Sequence, residues 1–242
     1  MRAVARTGSL LGRLGPEQRE ALRAECGALA ALDDVEFGVR LLANTPTHEG
    51  RDPELLRRWA VAAMEFGAGS LRPLRGHDAR SAAGDGCAAQ GDRGEEAGGR
   101  AGHAAGVRVV ESTGGLDPDR LLLARFRSKP TPTVELFTDT LALADEVVEL
   151  LGWQAWFPAG STRQAAIVHE EAHERLHHDK AKRAALKQRV GHRILGGLMP
   201  AYVAGADELA AHAAAQQALG LPRSPLLLTA ALARAADFVR EN

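Results

Sequence analysis

Between Gly67 and Gly106 the chain is almost empty of large apolar side chains and dense in glycine, alanine and charge. A segment of that composition cannot bury enough surface to offset the entropy of ordering it. Three parts are therefore expected: a helical N-terminal region over 1–67, a Gly/Ala-rich flexible linker over 68–106, and a folded domain over 107–242. His77 and His103 fall in the linker, where isolated histidines are expected to be solvated.

On either side of the linker the pattern is mainly helical. Aromatic residues make up only 4% of the chain, and strands draw on aromatic and β-branched residues. Pro16 opens a stretch in which Leu22, Cys26, Leu29 and Ala30 recur at helical spacing. Pro53 opens a second, striped by Leu55, Leu56, Trp59, Ala63 and Phe66. Short strands are expected over 107–111, 121–127 and 133–137. Asp139 is placed to cap a helix that Gly152 ends, and Ser161 or Thr162 to cap the next. Further helices start near Glu208 and at Pro225. The predicted class is α+β, mainly helical, with a small sheet.

The 30 Lys and Arg residues balance 31 Asp and Glu, which removes any global electrostatic case for nucleic acid or an anionic membrane. Cys26 and Cys87 make neither a disulfide framework nor a cysteine metal site. No apolar run reaches the length of a signal peptide or a membrane span. The expected location is cytoplasmic, with no nucleic-acid or membrane partner.

Six of the nine histidines lie between His169 and His212. His169-Glu170-Glu171-Ala172-His173 reads H-E-x-x-H. Residues four apart share one face of a helix, so His169 and His173 can offer two imidazoles to one ion. Glu170 would project beside that ion, where it can take a proton from an activated water. Zinc held by two histidines needs a third protein donor and an open position.

Downstream, the pattern from Glu208 to His212, together with H-E-x-x-H, resembles the gluzincins, zinc peptidases with their motif on one helix and a ligating Glu on another. The resemblance covers about residues 120–220 and implies a zincin-like metallopeptidase domain with one Zn²⁺ per chain, held by His169, His173 and Glu208. It implies Glu170 as general base and a peptide or protein as substrate. It places His212 behind the ligands and implies that an edge strand, with residues 133–137 as the candidate, pairs with the substrate. A tetrahedral oxyanion would need a donor besides zinc, for which Tyr202 and His212 are the nearest candidates by sequence.

Other readings remain open at this point. Asp179 or His178 could replace Glu208 as third ligand, whereas His177 continues the line of histidines too far along a straight helix to join both. Glu170 with His173 would suit a di-iron bundle, but the matching second Glu-x-x-His pair is missing. The basic stretches 178–183 and 187–189 read as the solvated tail of the motif helix. A non-enzymatic helical interaction protein, or a zinc-binding pseudoenzyme, is the alternative function, and the N-terminal helices could serve a protein partner.

Overall fold

A computed structural model describes residues 9–71, 107–117, 120–194 and 198–240. The N-terminal helices begin where their sequences supply caps. Helix α1 (Pro16–Ala30) starts at a proline, whose missing N–H would have had no partner there. In α2 (Asp34–Ala43) the Asp33 carboxylate accepts from the Glu36 amide at 2.7 Å, and in α3 (Pro53–Ser70) Asp52 accepts from Glu54 at 3.1 Å. Helix α2 lies between the two helical stretches that the sequence pattern singles out and is not among them. Helix α3 also passes the expected boundary at 67, running to Ser70, and Leu71 is fully buried. The rest of the expected linker, 72–106 with His77, Cys87 and His103, lies outside the described residues.

The strands are β1 (Arg108–Ser112), β2 (Leu116–Asp117), β3 (Arg120–Leu121), β4 (Ala124–Arg127) and β5 (Thr133–Phe137). The expected strand over 121–127 is divided, because Leu121 belongs to the β2–β3 hairpin. The main sheet has the order β1-β5-β4, with β5 parallel to β1 and antiparallel to β4. This corrects the assignment of residues 133–137 to the edge. Strand β5 is central, its backbone groups are taken by ladders on both sides, and the free edge near the helices belongs to β4.

Helix α4 (Thr138–Leu151) ends at Gly152 in the left-handed conformation, φ 69°, as its sequence predicts. Asp139 does not cap it. Its carboxylate accepts from the Gly114 and Gly115 amides at 2.9 and 3.2 Å, fastening the β1–β2 loop to the helix. Helix α5 (Ser161–His178) follows Gly160 in the N-cap position, so neither Ser161 nor Thr162 caps it. The single long helix expected through the basic stretch is two. At Asp179 the backbone leaves helical geometry, and the Asp179 carboxylate caps α6 (Lys180–Val190) by accepting from Ala181 and Lys182 at 2.9 and 3.0 Å. A hairpin of β6 (Arg193–Ile194) and β7 (Met199–Pro200) leads to α7 (Ala206–Leu219), and α8 (Pro225–Arg240) closes the order.

Helix α7 is the hub. Its Ala210, Ala211, Ala214, Ala215 and Leu209 are all at most 2% exposed, because α3, α5 and α8 cover it from different sides. Alanine at those positions permits close approach. At Gly67 of α3 the contact is closest: a Cβ there would meet the Ala210 carbonyl oxygen at 2.0 Å. Residues 9–71 thus share a core with the C-terminal helices, Trp59 and Phe66 packing in one cluster with Leu176, Leu186 and Leu209. Among the described residues no helix is long and apolar enough to cross a membrane.

Cys26 of α1 is fully buried in a second cluster with Leu227 and Leu232 of α8, and burial pushes its thiol up to about 11. Iodoacetamide at about pH 8 should leave Cys26 unmodified in the native protein and alkylate it in urea, as read by peptide mass mapping. Equal alkylation in both states would mean that α1 does not pack as described.

Candidate metal centre

The centre is assembled from α5 and α7. On α5, Ala165, Ala166, Ile167, Val168, Ala172 and Leu176 are buried, which fixes the roll of the helix. That roll brings His169 and His173, one turn apart, to the same face, with ring centroids 4.7 Å apart and Nε2 atoms at 3.1 Å. Farther along, Arg175 donates to the Leu71 carbonyl at 2.8 Å and to Glu171 at 3.1 Å, tying α5 to the end of α3. Glu208 sits in the first turn of α7. The chain enters that turn through Gly205 at φ 84°, a left-handed conformation that favours glycine, and a Cβ there would also press on the end of the Leu41 side chain at 2.7 Å.

Glu208 reaches across to both imidazoles. Its Oε2 lies 2.9 Å from His173 Nε2 and its Oε1 3.3 Å from His169 Nε2. One ligand atom from each of His169, His173 and Glu208 falls within 4.8 Å of the others, and together they could hold a metal ion. The three donor separations, 2.9, 3.1 and 3.3 Å, are close to those of donors gathered around one ion. Donors about 2.0–2.1 Å from a tetrahedral centre lie roughly 3.3 Å from one another. The donor set, two neutral-capable imidazoles and a carboxylate, is that of a site with one position left open.

His212, one turn beyond Glu208 on α7, is 7% exposed and places Nε2 3.2 Å from Glu208 Oε1, with its ring 4.4 Å from that of His169. It stands outside the converging trio and holds the carboxylate from behind. The Nδ1 atoms of His169 and His212 have no hydrogen-bond partner among the described residues, so these rings are held by each other and by Glu208. Electrostatics follow from this crowding. Burial pushes the Glu208 carboxyl up, but hydrogen bonds from three imidazoles outweigh it and hold the group far below the usual carboxylate range. Burial lowers His169. For His173, burial acts the same way, yet the Glu208 carboxylate prevails and raises it.

The remaining sequence candidates are placed as follows. Glu170 lines a cavity of about 250 Å³ together with His169, His173, Glu208 and His212. The rest of that cavity is mostly apolar, including Leu121, Leu123, Phe157, Ala166 and Leu228. Tyr202 is half exposed on a second cavity of about 550 Å³ that also reaches His173. Its hydroxyl donates to Asp207 Oδ1 at 2.6 Å, so it is engaged beside the trio. Burial and the Asp207 carboxylate push that phenol up, which keeps it protonated as a donor. Asp179 is consumed as the α6 cap, and His177 and His178 are exposed beyond the trio, so Glu208 alone of the rival third donors converges with the two histidines. Sequence reasoning missed Asp207; its position next to Glu208 at a helix start was the only signal available.

No family model, curated protein or solved structure matches this chain. The reading of the centre therefore rests on its own geometry.

Proposed function

We propose that the chain is a zinc-dependent peptidase of gluzincin type with a zincin-like domain. The observation that carries the reading is the convergence of His169, His173 and Glu208 from two helices, with Glu170 lining the same cavity. Zinc held by that trio would supply a Lewis acid toward water and a peptide carbonyl. Glu170 takes a proton from the attacking water and delivers it to the leaving amine, the task its position next to the first ligand suits. His212 keeps the Glu208 carboxylate in place, and Tyr202 could serve the developing oxyanion only by turning its single proton away from Asp207. The substrate strand adds to β4 rather than to β5, since β4 carries the free edge beside α5.

The test is metal content. Protein purified without a histidine tag or a metal column should carry about one zinc per chain. It should also cleave a mixed peptide library in a manner that a chelator abolishes. Absence of bound zinc after supplementation would overturn the reading and leave a helical interaction protein.

A further inference from the structure

Both cavities that meet at His173 are lined by the β4 region: the apolar one by residues 121–124, the larger one by Phe126 and Ser128. An extended peptide on the β4 edge would therefore cross from one cavity to the other. Antiparallel addition, the more stable pairing, would run it opposite to β4, so its N-terminal side would lie in the larger cavity.

The chemistry of that cavity is set by α6. Of the five basic residues of α6, Lys180 opens the helix outside the lining of this cavity, and the other four divide into two pairs. Lys182 pairs with Asp179 at 2.9 Å and Arg189 with Glu65 at 2.6 Å. Arg183 and Lys187, one turn apart on the face that lines the cavity, form no ion pair among the described residues. Two carboxylates share the cavity, Glu174 and Asp207. They adjoin the ligands His173 and Glu208 in sequence, and Asp207 is occupied by the Tyr202 hydroxyl. Among the described residues neither carboxylate forms an ion pair with Arg183 or Lys187, so the α6 side of the cavity presents two unpaired cations to whatever enters along β4.

We propose that Arg183 and Lys187 select peptides with acidic residues on the N-terminal side of the segment seated at the metal centre. This deepens the peptidase reading and rests on it for the identity of the ligand. The pair acts as a specificity element, steering and holding carboxylates without touching the reacting atoms.

Binding tests it without turnover. The full chain carrying Glu170→Gln, supplemented with zinc, is titrated into three fluorescein-labelled peptides: Ala-Ala-Glu-Glu-Leu-Ala-Ala and its Gln-Gln and Lys-Lys counterparts. The Glu-Glu peptide should bind roughly fivefold to tenfold more tightly than the Gln-Gln one, and the Lys-Lys peptide most weakly. Adding Arg183→Glu and Lys187→Glu should abolish the Glu-Glu advantage and leave Gln-Gln affinity within about twofold. Arg183→Gln with Lys187→Gln should do the same if charge reversal upsets folding. Equal affinity for Glu-Glu and Gln-Gln, an advantage that survives both double variants, or no binding of any peptide would overturn the inference. Acidic preference without hydrolysis by the parent chain would instead count against the peptidase reading alone.

Discussion

Gly67→Ala should lower the thermal midpoint by about 6–12 °C and deplete the metal centre, while Gly69→Ala, two residues farther along α3, should do neither. The added methyl at 67 would lie 2.0 Å from the Ala210 carbonyl oxygen and 2.7 Å from the Ala210 Cα, whereas a methyl at 69 meets nothing within 4 Å. Overpacking costs about 1–3 kcal/mol, and the obstacle here is backbone that cannot change rotamer, which puts the cost near the top of that range. For a chain of this size each kcal/mol moves the midpoint by about 2–4 °C. The metal should go too, because Ala210 sits between Glu208 and His212 and any retreat of α7 carries both away from α5. Differential scanning calorimetry and zinc analysis read the two effects together. Equal midpoints for the two alanine variants would mean that α3 and α7 are not packed at Gly67.

The second large effect separates holding the metal from moving the proton. On the proposed peptidase reading, Glu170→Gln preserves shape and leaves the converging trio untouched, so zinc stoichiometry should persist while turnover falls by about 10²–10⁴-fold. Glu208→Ala and His173→Ala should lose zinc and turnover together, since each removes a donor and leaves buried imidazole facing an empty space. Glu208→Ala has an additional cost, because one carboxylate serves three rings, at 2.9, 3.3 and 3.2 Å. Wild-type turnover in Glu170→Gln would remove that residue from the proton path. Full zinc occupancy in Glu208→Ala would move the third donor elsewhere.

Much of the centre was legible because it depends on local periodicity. The four-residue spacing of His169 and His173 fixes their common face whatever surrounds α5, and the resemblance pointed to Glu208 from its place at a helix start. The ends of α4 and α8 were also readable from Gly152 and Pro225. What failed was non-local. The pattern of residues 133–137 identifies a strand but carries nothing about which strands flank it, so β5 passed for an edge. Asp179 breaks a helix by offering its carboxylate to the next two amides, a device that reads like any other polar residue in a basic helix. Gly67 closes the expected helical region, and nothing in its local sequence announces that its role is to admit the backbone of a helix more than 140 residues later. Helix α7 has no apolar stripe because it is buried all round from Leu209 to Ala215, and an alanine-rich helix does not announce that from sequence.

The dependence of α3 on α7 has a consequence for synthesis. Trp59 and Phe66 leave the ribosome well before the helix that covers them, and from Gly67 to Ala210 the ribosome must add 143 residues. At about 5–20 residues per second, that face waits roughly 7–30 s for its cover. Over that interval the nascent N-terminal helices present a sticky, unfinished surface, and a chaperone that shields apolar helices during translation would find its client there.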